Sequence, residues 1–311
     1  MTKAATERLL VTGRSGFVGE AFSRVLDCGA QGQRWSLAEV STDFDVRDAS
    51  ATSRLVEAAR PDAVIHLAAQ SAVPDSIRDP EGTLQINVMG TLHLLQALDA
   101  AGFRGRFLYV GTGDVYGLVP ESELPVAETR LPQPRNPYAV SKLAAEALCW
   151  QWHASKGMDV VLARPFNHIG AGQSDRFAVS DFARQLAEIK AGSRPPAIHV
   201  GDLSVTRDFT DVHDVVEAYF ALLERGRAGE VYNVCSGVEH SLQSMLDQLI
   251  ALAGVDVQLH TEPARMRAAE QRRMRGDPTK IRMATGWTPT TPIRSSIAAA
   301  LQFWEERLAR G

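Results

Sequence analysis

Along the first half of the chain, apolar residues fall in short unbroken runs separated by stretches with helical spacing. Arg8-Leu9-Leu10-Val11-Thr12, Ala63-Val64-Ile65-His66-Leu67, Phe107-Leu108-Tyr109-Val110 and Val160-Val161-Leu162-Ala163 are short and continuous. Runs of that kind mark strands of a parallel sheet covered on both faces. Between the first strands, Phe17, Val18, Ala21, Phe22, Val25 and Leu26 recur on one helical face. Leu84 to Leu98 reads as a long helix, with Val88, Thr91, Leu94, Leu95 and Leu98 on one side. A further helix starts at Asn136-Pro137, where asparagine is a good N-cap and proline suits the first helical position. The second strand, around Arg34-Trp35-Ser36-Leu37, is poorly marked. This β-α-β alternation predicts an α/β fold, a Rossmann-type doubly wound parallel sheet.

Beyond Arg164-Pro165 the pattern is less regular. Helices are expected at Val179–Ala191, Val212–Leu223 and Leu242–Ala253, with a short segment near Ala197–Val200. Pro120–Pro137 and Gly192–Pro196 read as loops. The expected organisation is a nucleotide-binding domain over residues 1–165, joined again by part of 205–225, and a smaller interleaved α/β C-terminal substrate lobe over 166–311.

Composition narrows the class without choosing a reaction. The 311 residues are 45% hydrophobic and 23% charged, as in an ordinary globular protein. A net charge of −4 gives no electrostatic reason to expect a nucleic-acid or membrane partner, and no apolar run approaches membrane-spanning length. Met1 to Leu10 lacks a signal-peptide layout. Cys28, Cys149 and Cys235 are too widely spaced for a metal site and suit free thiols in a reducing cytoplasm.

Two features carry chemistry. The first strand runs into Gly13-Arg14-Ser15-Gly16-Phe17-Val18-Gly19, a glycine turn opening a helix. Glycines there permit a tight turn and close approach of a diphosphate to a helix N-terminus, so a dinucleotide cofactor is expected. The cofactor's identity stays open between NADPH and NADH, with NADPH favoured. No acid directly ends the second strand, Glu39 is a late candidate for the ribose hydroxyls, and Arg14 suits a 2′-phosphate. The second feature is Tyr138-x3-Lys142, which puts a phenol and an ammonium on one helix face. A nearby cation lowers a tyrosine pKa and readies it for proton transfer, although the spacing alone equally describes a surface pair.

Taken with these, His66-Leu67-Ala68-Ala69-Gln70, Gly111-Thr112-Gly113-Asp114-Val115-Tyr116-Gly117, Arg164-Pro165-Phe166-Asn167 and Gly276-Asp277-Pro278…Gly286-Trp287 extend the pattern over almost the whole chain. In this order they resemble the extended short-chain dehydrogenase/reductase family, in its nucleotide-sugar branch. The resemblance implies a catalytic set of Thr112, Tyr138 and Lys142, with the first two also meeting substrate oxygen and the last two also meeting cofactor. It implies further cofactor contacts at Gly13, Gly16, Phe17, Val18, Gly19, Asp45, Val46, Leu67, Ala68, Ala69 and Pro165, and no metal. Asp114 is read as a loop residue.

Within the branch, 4,6-dehydratases follow the threonine with an acid or serine and then a glutamate. This chain has Gly113 and Asp114, which removes the expected proton donor. A 4-epimerase is not excluded by the triad, and a non-catalytic dinucleotide sensor would not need it. Pro134-Arg135-Asn136-Pro137-Tyr138, Val231-Tyr232-Asn233-Val234-Cys235-Ser236-Gly237 and Pro263 to Arg273 resemble the subgroup that reduces the C4 ketone of GDP-4-keto-6-deoxy-D-mannose to GDP-D-rhamnose. The implied partner is a GDP-linked 4-keto-6-deoxy sugar, met by Ser71, Asn167, His168 and Arg207, with Arg267 and Glu270 on the nucleoside. Arginine suits a diphosphate through its rigid multi-donor fork. Each of these could instead be structural, and Arg265, Arg272, Arg273 and Arg275 read mostly as a solvated basic face. The family also implies a homodimer through helices, for which Leu84–Leu98 and Ser141–Trp152 are candidates.

Overall fold

Successive residues of a strand point to opposite faces, so the unbroken apolar runs require cover on both sides. The structure is a computed structural model that describes residues 6–28, 30–38, 44–262 and 271–310. Strands β1 (Glu7–Thr12), β2 (Trp35–Leu37), β3 (Ala63–His66), β4 (Arg106–Val110), β5 (Asp159–Pro165) and β9 (Val231–Val234) form one sheet. They pair in parallel throughout, in the order β2-β1-β3-β4-β5-β9. The chain moves outward from β1 to β2 and then in the other direction from β3. That reversal leaves a crevice beyond the carboxyl ends of β1 and β3, where ligands bind in sheets of this kind.

Two apolar layers follow from the alternation. Leu9, Val11, Ile65, Leu108, Val110 and Val161 pack under α1 (Phe17–Cys28) and α8 (Val212–Arg225). Leu10, Val64, Phe107, Tyr109, Val160 and Leu162 pack on the other face, under α2 (Ala49–Ala59), α5 (Gly90–Ala100) and α6 (Pro137–Lys156). Full burial of such a side chain stabilises the fold by ~1.5–3 kcal/mol. Helix α2 is absent from the sequence expectation, although Asp48 caps it by accepting from Ala51 N at 3.0 Å.

A short helix, α3 (Val73–Arg78), precedes the long one. The long helix starts at Pro80 rather than Leu84. Asp79 caps it, accepting from Gly82 N at 2.9 Å, and Pro80 takes the first helical position. From α4 (Pro80–Leu84) it passes through a π turn at Gln85–Met89 into α5. Helix α6 begins as expected, with the Asn136 side chain accepting from Ala139 N at 2.8 Å.

The second lobe holds β6 (Asn167–Ile169), α7 (Ala178–Lys190), β7 (Ala197–Val200), β8 (Thr206–Asp211), β10 (Glu239–Ser241), α9 (Leu242–Ala253), β11 (Gln258–Thr261) and α11 (Ile293–Arg310), while α10 (Thr279–Thr285) returns to the large sheet and packs Ile281 beside α8 and β9. Its strands pair as β10-β8-β6 and β11-β7. Helices α7, α9 and α11 close on Phe182, Leu186, Leu246, Leu249, Ile297 and Leu301. A smaller cluster of Val115, Tyr116, Val126, Phe166, Cys235 and Met274 lies where the two lobes meet. Among the described residues, no helix is long and apolar enough to cross a membrane.

Candidate active site

The glycine turn sits at the end of β1, where its geometry leaves no choice of residue. Gly13 has φ +71°, and a β-carbon there would lie 2.7 Å from the Ala68 nitrogen. At Gly19 it would lie 2.5 Å from the backbone of Arg14. Gly16 is different. It donates to the Gly13 carbonyl at 3.0 Å, and an added β-carbon would meet only that oxygen, at 3.3 Å. The bare backbone of Gly16, at the start of α1, leaves the cradle a diphosphate needs beside free helix N–H groups.

Leu67, Ala68 and Ala69 follow β3 directly and line the same edge, with Ala68 N donating to Thr12 Oγ1 at 3.2 Å. Asp45 and Val46 lie at the far side. Arg47 holds the Asp45 carboxylate at 2.6 Å and lowers its pKa, while Val46 is buried against Gly90, where a β-carbon would come within 2.6 Å of its methyl. An open hollow lined by Asp45, Arg47, Asp79 and Gln85 adjoins them. Pro165 closes β5. Glu39, Arg267 and Glu270 lie outside the described residues.

Thr112 follows β4 and caps the tight turn Gly113–Tyr116 by accepting from Asp114 N at 3.2 Å. Its hydroxyl lies near the Tyr138 phenol and favours the ionised form of that group. Tyr138 is the second residue of α6, and Lys142 lies one turn on and is 4% exposed. The Lys142 ammonium stands 4.9 Å over the ring of Tyr109, whose hydroxyl donates to the Lys142 carbonyl at 2.9 Å. The structure thus brings Thr112, Tyr138 and Lys142 to one edge of the sheet beside the glycine turn.

The electrostatics depart from the sequence expectation. Burial pushes the Tyr138 phenol well above its ordinary value, and the exposed Asp114 carboxylate adds to this, while the nearby Thr112 hydroxyl opposes it. Any lowering by Lys142 is outweighed. Lys142 itself drops to about 8 through burial, opposed by Cys149 and Glu146. Beneath them Glu146 holds Arg164 through bonds of 3.0 and 2.6 Å, both side chains being buried. Arg164 in turn stacks over Tyr116, whose hydroxyl donates to Asn233 Oδ1 at 2.6 Å. Sequence reasoning missed the Glu146–Arg164 pair, although a glutamate one turn beyond Lys142 on the same face was a readable signal.

Two glycines shape the wall next to Thr112. A β-carbon at Gly111 would come within 3.0 Å of the Ala163 carbonyl, and one at Gly113 would press at 3.2 Å on the ring of Phe166. Beside Thr112 this chain thus packs an aromatic ring against a bare backbone.

On the substrate side, β6 and β8 run parallel with Asn167 opposite Phe209. Arg207 precedes Phe209 by two residues, so Arg207 and Asn167 share one face, while Asp208 points the other way and is fully buried. Asp208 accepts from Ser236 N, Ser236 Oγ, Gly237 N and Gly276 N at 2.6–3.2 Å, which fixes β8. Arg207 Nη1 donates to the Thr206 carbonyl at 2.8 Å. His168 stacks on Phe17 of the glycine turn, with centroids 5.9 Å apart and planes 7° apart. Ser71 and Asn167 are exposed. Arg273 is not a free solvated charge, for it pairs with Glu239 and with Glu121 at 3.0 Å.

The comparisons with known proteins agree with this geometry. Residues 34–299 match the family model described as GDP-mannose 4,6 dehydratase. The chain is 50% identical, over 97% of its length and 99% of the relative's, to a GDP-6-deoxy-D-mannose reductase of Pseudomonas aeruginosa. It is 31% identical to a UDP-glucose 4-epimerase of Mycolicibacterium smegmatis, covering 96% of this chain and 99% of that one. Among solved structures it is similar to RMD from Pseudomonas aeruginosa complexed with NADPH. The TM-score is 0.92 and the identity 49%, across 97% of this chain and 100% of that one. A Thermus thermophilus UDP-glucose 4-epimerase in complex with NAD superposes with a TM-score of 0.83 at 29% identity, covering 96% and 98%.

Proposed function

This chain belongs to the GDP-mannose 4,6-dehydratase family of extended short-chain dehydrogenases/reductases, and we propose that it acts there as a ketoreductase. It reduces the C4 ketone of a GDP-linked 4-keto-6-deoxy sugar, GDP-4-keto-6-deoxy-D-mannose, to GDP-D-rhamnose with NADPH. The observation that carries this reading is Gly113 packed on Phe166 beside a complete Thr112, Tyr138 and Lys142. Carbonyl reduction needs those three groups. Dehydration needs further acids after Thr112, but Gly113 has no side chain and Asp114 reaches less far than the glutamate expected at its position. The reductase name and the bound NADPH of the Pseudomonas aeruginosa relatives support the same choice.

Bound NADPH would supply the hydride to C4. As negative charge grows on the C4 oxygen, the Thr112 hydroxyl donates a hydrogen bond to it and Tyr138 delivers the proton. The raised pKa of Tyr138 keeps the phenol protonated at neutral pH, as a general acid requires. Lys142, at about 8, is mostly charged at pH 7 and stabilises the phenolate left behind. Arg14, in the glycine turn, suits the 2′-phosphate that distinguishes NADPH from NADH. Arg207 binds the sugar nucleotide's diphosphate, Asn167 and Ser71 meet the sugar, His168 lines the floor, and Arg267 and Glu270 take the guanosine. Val140, Leu143, Ala147 and Trp150 form a stripe at helical spacing on α6, with Val140 and Trp150 44% and 53% exposed. That stripe supports a homodimer through this helix. Buried free thiols at Cys149 and Cys235 support a cytoplasmic setting.

Incubation with NADPH and GDP-4-keto-6-deoxy-D-mannose tests the reading, with nicotinamide absorbance followed and the product's configuration determined. Oxidation of NADPH with GDP-D-rhamnose formed is expected. An epimerised sugar without net oxidation would make it an epimerase. Loss of water from GDP-mannose would make it a dehydratase, and binding without turnover a sensor.

A further inference from the structure

The carboxyl ends of β1, β3 and β4 place Thr12, His66 and Tyr109 side by side in one cross-strand row. All three are buried at 1% exposure or less, on the face covered by α5 and α6. Within β3, Ala63-Val64-Ile65-His66, the imidazole is the one ionisable side chain, so burial demands partners for both ring nitrogens. It has them. Nδ1 lies 2.7 Å from Thr12 Oγ1, and Nε2 lies 2.9 Å from Thr91 Oγ1.

The neighbours fix where each proton sits. Thr91 Oγ1 lies 2.7 Å from the Asn87 carbonyl, which can only accept, so the threonine proton goes there. Thr91 must then accept from His66, which puts the ring proton on Nε2. At the other end, Thr12 Oγ1 accepts from Ala68 N and donates its own proton to Nδ1. One directional chain results, from the Ala68 N–H through Thr12, His66 and Thr91 to the Asn87 carbonyl. The other tautomer strands a threonine proton, and the imidazolium does the same. Burial, with the Lys142 charge adding to it, keeps the ring neutral by taking it down to about 3.

Each end of the chain touches machinery. Ala68 is the residue against which Gly13 packs. Asn87, within the π turn, donates from its side chain to Ser141 Oγ at 2.8 Å and to the Gln70 carbonyl at 3.0 Å, and Ser141 Oγ donates to the Tyr138 carbonyl at 2.7 Å. Beside the chain, the His66 ring lies 6.2 Å from that of Tyr109, the platform under Lys142. Asn87 lies in the π turn, whose ladder bond from Gly90 N reaches back to the Gln85 carbonyl.

We propose that His66 is a positioning residue for the reduction: its relay between Thr12 and Thr91 holds the glycine turn in register with the helix that carries Tyr138 and Lys142. The inference rests on the glycine turn being the cofactor's seat. A cofactor gripped at its diphosphate by one element and at its nicotinamide ribose by another is placed only as well as those two elements are held together.

The test compares wild type with His66→Phe, His66→Asn, Thr12→Val and Thr91→Val. NADPH affinity is measured by fluorescence titration without any sugar nucleotide, with steady-state constants and melting temperature beside it. Breaking the relay should weaken NADPH at least tenfold and lower kcat at least tenfold, with KM for the sugar nucleotide within twofold. His66→Asn combined with Thr91→Val should lose no more NADPH affinity than the worse single variant, because both cut the same chain. If His66→Phe does not fold, the threonine variants, close in shape to the native residue, carry the test. Folded variants with wild-type NADPH affinity and kcat, or additive losses in the double variant, would overturn the proposal. A role in stability alone would lower the melting temperature and leave both constants untouched. Failure of wild type itself to bind NADPH would instead remove the cofactor assignment of the turn.

Discussion

Alanine at Gly16 and alanine at Gly13 separate what the glycine turn needs for folding from what it needs for binding. At Gly13 the backbone is left-handed at φ +71°, and the new methyl would stand 2.7 Å from Ala68 N and 2.9 Å from Ala68 Cα. The left-handed conformation costs about 1–2 kcal/mol for a residue with a β-carbon. Displacing Ala68 stretches its hydrogen bond to Thr12, worth about 1 kcal/mol more. The melting temperature should fall by roughly 3–5 °C, at ~1.5 °C per kcal/mol in a chain of this size. At Gly16 the nearest contact is the Gly13 carbonyl at 3.3 Å, and the backbone is not left-handed. The carbonyl must give by a few tenths of an ångström, a cost offset by a less flexible unfolded chain, so stability should stay within about 1 kcal/mol of wild type. The same methyl stands in the cradle where a diphosphate would come closest to the helix start. NADPH affinity should therefore drop at least ~10-fold, or about 1.4 kcal/mol, in Gly16→Ala while the melting temperature moves by no more than ~2 °C. Thermal melts and fluorescence titration with NADPH decide it. Wild-type affinity in Gly16→Ala would show that no phosphate sits there, and a large melting shift would show that the contact geometry at Gly16 is wrong.

Three further outcomes follow from the site. Tyr138→Phe should lower kcat by ~10²-fold or more while NADPH affinity changes little, the scale for a lost general acid; near-wild-type turnover would mean that the proton comes from another group. Lys142 titrates near 8 when folded against 10.5 ordinarily, so the unfolded chain binds more protons between those values and stability rises with pH there. Its burial costs roughly 3 kcal/mol below pH 8, at ~1.36 kcal/mol per pH unit, so Lys142→Met should be favoured relative to wild type in urea melts at pH 7 and lose that advantage by pH 10; an equal gap at both pH values would refute the buried ammonium. Arg207→Ala should raise KM for the sugar nucleotide and leave NADPH affinity alone, and an unchanged KM would take Arg207 out of the site.

What the sequence made legible is what short-range spacing encodes. The glycine turn, the Asn136 cap and the Tyr138–Lys142 pair each complete their geometry within one or two helical turns, and all of them stand where the pattern puts them. Helix α2 and the start at Pro80 are equally local, since Asp48 and Asp79 are capping residues, but their first turns carry no large apolar side chain to mark a periodic face. Strands β10 and β11 gave no signal of their own, for β11 is exposed along its length and pairs only because β7 is beside it. The supports of the site belong to this second kind. His66 meets Thr12 across 54 positions and Thr91 across 25, Asn87 meets Ser141 across 54, and Tyr116 meets Asn233 across 117. No periodicity reports such pairs, yet their members were visible as anomalies: a histidine ends the apolar run of β3, and an asparagine is buried inside an amphipathic helix. A polar side chain on a face that burial has claimed must find a partner, so each such exception in the hydrophobic pattern predicts a contact even when it cannot say with what. His66 and Asn87 meet through Thr91, between the turn that would hold the cofactor and the helix that would deliver the proton.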